Sequence, residues 1–326
     1  MLPVAVLCEE RCHLGEGPSY DAARDTAWWF DILERRLYEV PLAGGRVTVH
    51  DLPFMASALA MVDDRRQLLL TETGLVLRDI AGGRLEPVTE VEADNPGTRS
   101  NDGRVHPSGT FWISTMGRHA EREGGTIYAY RDGAAVPLFP GITIPNAICF
   151  SPDGAFGYFA DTAADRLYRV RLDPTTGLPL EPPSVLRLHA GAGGFDGAVT
   201  DAEGLVWCAI WGGARLEAYT PEGEHVRSVT VPARQVSCPV FVGPDFDRVL
   251  VTSAFENMDE VARAADPHHG KTFLLDIGVR GRAEPRVRMG GAWTRSPHAA
   301  DLHPAVPPAK KTARETRPPK PQGSST

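Results

Sequence analysis

Residues 194–210, GFDGAVTDAEGLVWCAI, run as an acid, a short apolar stretch, a turn and a strand. Asp196 opens the stretch, Gly197-Ala198-Val199-Thr200 predicts a short strand, and Asp201-Ala202-Glu203-Gly204 has turn chemistry. Leu205 to Ile210 is β-branched and aromatic, as a strand requires. The same order recurs along the chain. Turn-forming groups begin at Asp21, Asp63, His106, Ser151, Asp201 and Gly243, at intervals of 42, 43, 45, 50 and 42 residues. Each is followed by an apolar strand such as AWWF, QLLLT or TFWIS, and a second strand such as Arg36–Val40, Arg166–Val170 or Arg215–Tyr219 comes after a short polar gap. A repeat of roughly 40–50 residues built from strands and turns predicts an all-β, six-bladed β-propeller with four-stranded antiparallel blades around a central channel. The units fill the chain from about Cys12 to about Val279, and no segment carries a long helical periodicity.

Five residues before each turn lies the start of the first strand of each unit, which in a propeller lines the channel at one mouth. Those positions are Glu16, Ala58, Asn101, Asn146 and Asp196, with Ser237 or Cys238 in the sixth unit. Two carboxylates and two amides converging on one axis make an oxygen-rich set suited to a hard divalent cation. The plainer alternative is that Asp and Asn open strands simply as turn formers.

These residues also carry a family resemblance. LGEGPSYD (14–21), RSNDGRVHPSGTFWISTMG (99–117), IPNAICFSPDG (144–154), GFDGAVTDAEGLVWCAIWGG (194–213) and DIGVRGRAEPRVR (276–288) resemble, in order, the regucalcin/gluconolactonase family of six-bladed propellers. The resemblance implies hydrolysis of a sugar lactone (an aldonolactone such as glucono-, galactono-, xylono- or arabinono-lactone) with one divalent metal ion, calcium, zinc, manganese or magnesium. By it, Glu16, Asn146 and Asp196 take the metal-ligand places, and Arg99 and Asn101 hold substrate. Asp196, or a second carboxylate near it, is also the expected acceptor of the attacking water's proton. Two positions depart from the family pattern: Tyr20 stands where Trp is common, and His119 stands where animal members place a substrate-touching carboxylate. His119 is therefore expected at the substrate, and the choice of sugar stays open.

Composition bounds the remaining readings. With 326 residues, 42% apolar residues, 33 Gly and 28 Pro, the chain suits one large turn-rich domain, placed at 1–289. A formal charge of −8, with no basic cluster before the tail, argues against nucleic acid. Residues 1–11 lack the basic start of a signal peptide and are too short to span a bilayer. Pro3–Leu7 instead reads as a strand that pairs with the last blade and closes the ring. Five scattered cysteines fit buried thiols in a cytoplasmic protein, a monomer or weak homo-oligomer whose partner is a small molecule. Cys8, Cys12 and His13 lack the second ligand pair a zinc site needs.

No GxSxG elbow supports a serine hydrolase, Ser19 and Ser108 read as turn residues, and the glycines at 191–194 precede a strand where a dinucleotide site needs a helix. His268-His269 reads as a solvated loop and Glu72 as structural. Trp28, Trp29, Trp112 and Trp207 are expected between blades, and Trp211 in a turn, more at the core than at substrate. Residues 290–326, rich in Pro and Lys/Arg, predict a disordered tail. Two rivals to the lactonase remain: a propeller that binds metal or a sugar acid without turnover, and a propeller esterase for a less polar ester. A sugar lactone calls for a polar channel mouth, a hydrophobic ester for an apolar one.

Overall fold

The consecutive tryptophans Trp28 and Trp29 show how the strands are used. Neighbouring side chains of a strand point to opposite faces, and both rings are fully buried. Trp28 packs with Ala56, Leu59 and Leu69 of the following unit, whereas Trp29 packs with Val240, Val242 and Leu250 of the last one. A strand buried on both faces belongs to a sheet sandwiched between two others. The same holds around the molecule, since six apolar clusters each join one sheet to the next. Truncating either Trp to Ala removes one wall of such a cluster, at a cost of about 3–5 kcal/mol.

The computed structural model describes residues 4–290, so the tail expected beyond that point lies outside the described residues. Within it are six four-stranded antiparallel sheets. Blades one to five read consecutively, starting at Gly15–Asp21, Ala56–Met61, Thr98–Val105, Pro145–Phe150 and Gly194–Thr200. The first strands of neighbouring blades touch one another in an unbroken ring, which makes them the channel wall. Blade six begins at Gln235–Val242 and is completed by the N-terminal strand Val4–Cys8, antiparallel to Thr272–Leu275. The expected closure is present, and it removes the open edges a linear array would leave.

The longest interval, from Ser151 to Asp201, has a local cause. The connection between Arg166–Arg171 and Ser184–Leu188 extends sideways onto blade three, where the Trp112 indole donates to the Gly177 carbonyl at 2.9 Å. Helix is confined, among the described residues, to a 3-10 turn at Thr162–Ala164 and a short helix at Glu260–Ala265 that Asp259 caps by accepting from the Ala262 N–H. Ser19 is not in a turn; it lies inside Gly15–Asp21, and its hydroxyl donates to Glu284. Trp211 closes the strand Val206–Trp211. His269 is buried rather than solvated, with Arg11 Nη1 against its ring and its Nδ1 donating to the Asp266 carbonyl.

After blade six the chain crosses the turn side of the ring as a strap, residues 276–289. Gly281 N–H donates to the Phe246 carbonyl, and Ala202 N–H donates to the Arg280 carbonyl. Arg282 donates to Pro152, and Val287 and Arg288 N–H groups donate to Met61 and Gly109. Blades two, three, five and six are tied by main chain, blade four through the Arg282 side chain, and blade one through Ser19. Glu284 points inward from the strap and pairs with Arg104. Arg104, from blade three, reaches across the channel to the Ala198 and Pro239 carbonyls of blades five and six. The channel is therefore blocked on this side.

Candidate active site

Each first strand is irregular at one equivalent place. Register shifts fall between Glu16 and Ser19, Ala56 and Ala58, Ser100 and Gly103, Asn146 and Cys149, Phe195 and Ala198, and Val236 and Pro239. A bulge bends a strand and re-aims its side chains. Repeated six times, it turns one position per blade toward the axis. Two glycines allow the crowding this produces. Gly17 has φ +54° and a side chain there would meet the Ser57 carbonyl, while a side chain on Gly197 would meet Cys238 Sγ at 2.3 Å.

The open end of the channel holds a cavity of about 560 Å³. Glu16, Asn146 and Asp196 lie in it, as do Arg99, Asn101 and His119. Arg99, Asn146 and Asp196 are buried, with 7%, 7% and 4% of their surface exposed, and His119 is exposed at the rim. A polar chain links three blades. Arg99 Nη1 donates to Asn101 Oδ1 (3.0 Å), Asn101 Nδ2 donates to Asn146 Oδ1 (2.7 Å), and Asn146 Nδ2 donates to Thr162 Oγ1 (3.0 Å). Thr162 Oγ1 in turn donates to the Phe195 carbonyl, next to Asp196. The amide orientations follow from this network, because each nitrogen has an acceptor before it.

The remaining two blades contribute no ligand. Ala58 offers a methyl group. Ser237 donates to the Gly15 carbonyl and pairs with Thr252, and Cys238 lies deeper, 3.7 Å from Arg104. All five cysteines are free and buried, and those near Glu9 and His13 gather no metal set.

The electrostatics are those of acids crowded together. Burial, reinforced by the Asp102 charge, pushes the Glu16 carboxyl up to about 8. Burial and the Glu16 charge raise Asp196 as well. Asp102 is raised by burial, although Gly103 and Ile148 N–H groups donate to it at 2.7 and 2.8 Å. Among the described residues, neither Glu16 nor Asp196 has a cationic side chain within ion-pair distance.

The rim contains residues that the turn-based count missed: Arg118, Thr162, Gln235 and Glu256. Arg118, Thr162 and Glu256 share a position of their own, just past the end of a second strand, and Trp211 ends one, whereas Gln235 opens the first strand of blade six. Counting from that end would have found all but Gln235. Arg118 is held by Glu72 Oε2 at 2.6 Å and by the Pro96 carbonyl, which gives Glu72 the structural place expected of it. Because blades three and six face each other across a six-fold ring, Arg99, Arg118 and His119 stand opposite Gln235 and Glu256. Blades one, four and five supply the floor.

A six-bladed propeller with a cavity blind at the far end, floored by half-buried Glu16, buried Asp196 and the Asn146 amide, is a protein built to hold a small ligand with polar groups. The chain belongs to the SMP-30/Gluconolactonase/LRE-like family, whose pattern matches residues 14–255. Its fold superposes with a TM-score of 0.87 on the crystal structure of a calcium-binding protein, regucalcin, from Agrobacterium tumefaciens str. C58. That protein is 52% identical, over 88% of this chain and 98% of its own. The L-arabinolactonase of Azospirillum brasilense is 32% identical over 86% of this chain and 94% of its own length. The 6-deoxy-6-sulfogluconolactonase of Pseudomonas putida is 30% identical over 83% and 94%. No helix among the described residues is long and apolar enough to cross a membrane.

Proposed function

We propose that this protein is a lactonase, a carboxylic ester hydrolase that opens a sugar lactone with the help of one divalent cation. The observation that carries it is the floor of the cavity. Half-buried Glu16 and buried Asp196, both with raised pKa values and, among the described residues, no protein cation within ion-pair distance, form a site that a bound cation completes. The donor set is oxygen throughout, Glu16, Asn146 and Asp196, and fits calcium, magnesium, manganese or zinc. No cluster of three His, Cys, Asp or Glu side chains occurs among the described residues, because the third donor here is an amide. Such a cation supplies Lewis acidity toward a carbonyl and lowers the pKa of water.

The chain's own residues do the rest. Arg99 uses only Nη1 in its bonds to Ser100 and Asn101, so Nε and Nη2 keep three N–H donors for ligand oxygens. Burial lowers the Arg99 pKa while Glu256, Glu16 and Asp196 oppose that effect, and the guanidinium stays charged. Asn101 is fixed by Asn146 and by the Pro145 carbonyl, and keeps a free lone pair on Oδ1 for a hydroxyl. Asp196 accepts the proton of the attacking water at a carboxylate oxygen. Asp196 returns that proton to the leaving alkoxide, which stays tethered as a hydroxyl of the product acid, whose carboxylate finds Arg99. The polar rim of Arg118, His119, Gln235 and Glu256 favours a hydroxylated substrate over a hydrophobic ester.

The test is acid release, followed at constant pH, from a panel of aldonolactones with metal-stripped protein and single metals restored. Metal-dependent turnover that Asp196→Ala abolishes is the expected result. Background rates for every lactone, with metal bound, would move the binding-only propeller to the front.

A further inference from the structure

The wall facing Arg99 carries a carboxylate that the reaction just described does not use. Glu256 lines the cavity. Among the described residues its carboxylate has no hydrogen-bond donor and no cation within ion-pair distance, yet its charge is felt at both Arg99 and Asp196. Glu256 is half-buried at the cavity wall, and the backbone on either side of it is fixed. The Gln235 amide nitrogen donates to the Glu256 carbonyl at 3.0 Å, and Phe255 N–H donates to the His13 carbonyl. Asn257 sits in the left-handed region at φ +58°, and Met258 N–H closes the turn onto Phe255. The Phe255 ring is clamped between the His13 ring, stacked at 4.9 Å, and the Arg263 guanidinium, 4.8 Å from its centre.

We propose that Glu256 is a specificity-determining residue, accepting hydrogen bonds from hydroxyls of a neutral polyhydroxy lactone and disfavouring lactones that carry an anionic group. The inference rests on the lactonase reading and sharpens it. A ligand seated on the floor between blades three and six meets N–H donors from Arg99 on one side and two acceptor oxygens of Glu256 on the other. Ring carbonyl and ring oxygen are acceptors and suit the first wall. Hydroxyls are the groups of a sugar lactone that donate, and they suit the second. An acceptor-only group rejects a ligand lacking those hydroxyls, and a fixed negative charge repels a carboxylate or sulfonate brought to the same place. Gln235 is a positioning residue, since it acts by fixing the backbone of Glu256.

The experiment measures kcat and KM of the metal-loaded full chain on a neutral aldonolactone and on one bearing a carboxylate at its far carbon. Wild type is compared with Glu256→Gln and Glu256→Asp, and binding of a neutral, non-hydrolysable sugar lactam is followed by calorimetry. Glu256→Gln should raise KM and lactam Kd for the neutral ligands about tenfold or more, the range for a hydrogen bond to a charged group, with kcat little changed. The same substitution should shift the ratio of kcat/KM toward the anionic lactone. Glu256→Asp should weaken neutral binding while keeping the bias against the anion. Wild-type values in both variants, in a protein whose turnover Asp196→Ala abolishes, overturn the role of Glu256 and leave the lactonase reading intact. A wild type that neither turns over lactones nor binds the lactam overturns both.

Discussion

Glu284→Gln tests whether the strap is part of the fold. Glu284 and Arg104 are paired within the channel, where their side chains are 19% and 9% exposed. Burial alone would pull the Arg104 pKa down, and the Glu284 carboxylate is the largest of the neighbouring groups, Asp102 among them, that together more than reverse this. Removing one partner of a buried pair costs about 3–5 kcal/mol, because the other charge is left desolvated. Two features place this substitution at the lower end. Arg104 keeps the Ala198 carbonyl at 3.1 Å and the Asp102 charge nearby, and the glutamine oxygen still accepts a hydrogen bond. The expected loss is about 2–3 kcal/mol. Urea unfolding at pH 7 measures it directly, with Arg104→Met and the double variant completing a cycle. The double variant should be less destabilised than the two single losses added together. A loss below about 0.5 kcal/mol in Glu284→Gln, or strictly additive losses, would refute the claim that the pair locks the strap into the channel.

Two further outcomes follow from the same architecture. Deleting residues 1–8 removes Val4–Cys8 from blade six and exposes the edge of Thr272–Leu275; the melting temperature should fall by several degrees, and an unchanged one would refute closure by this strand. Glu16, Asp102 and Asp196 all have carboxyls raised in the folded state. A raised carboxyl makes the folded chain bind more protons than the unfolded one, so metal-stripped protein should lose stability as pH rises from the ordinary carboxylate range to about 8. A divalent cation should raise the melting temperature more at pH 8 than at pH 6, and Asp196→Asn should flatten that difference; an equal rise at both values argues against these acids as the cation's ligands.

The propeller was legible because its turns are punctuated by Asp, Gly and Pro, which report backbone demands directly. The floor was legible for a related reason: the six bulges repeat, so one offset from the turn finds Glu16, Asn101, Asn146 and Asp196 together. That offset carries no information about the rim. Arg118 and Glu256 sit in connections of unequal length, and their meeting across the cavity depends on ring order rather than on spacing. His269 was misread because a polar, Pro-containing loop looks solvated until Arg11, 258 positions away, is seen to cover it. The strap segment was recognisable as family-like sequence. Its path across the blades was not, since it is an irregular chain held by single hydrogen bonds.

A blind channel imposes an order on traffic. With Arg104 and Glu284 filling the far end, a lactone enters and its acid leaves by one doorway, past Arg118, His119 and Glu256. Entry and exit therefore share one path, and inhibition by the product acid is the signature to expect in progress curves.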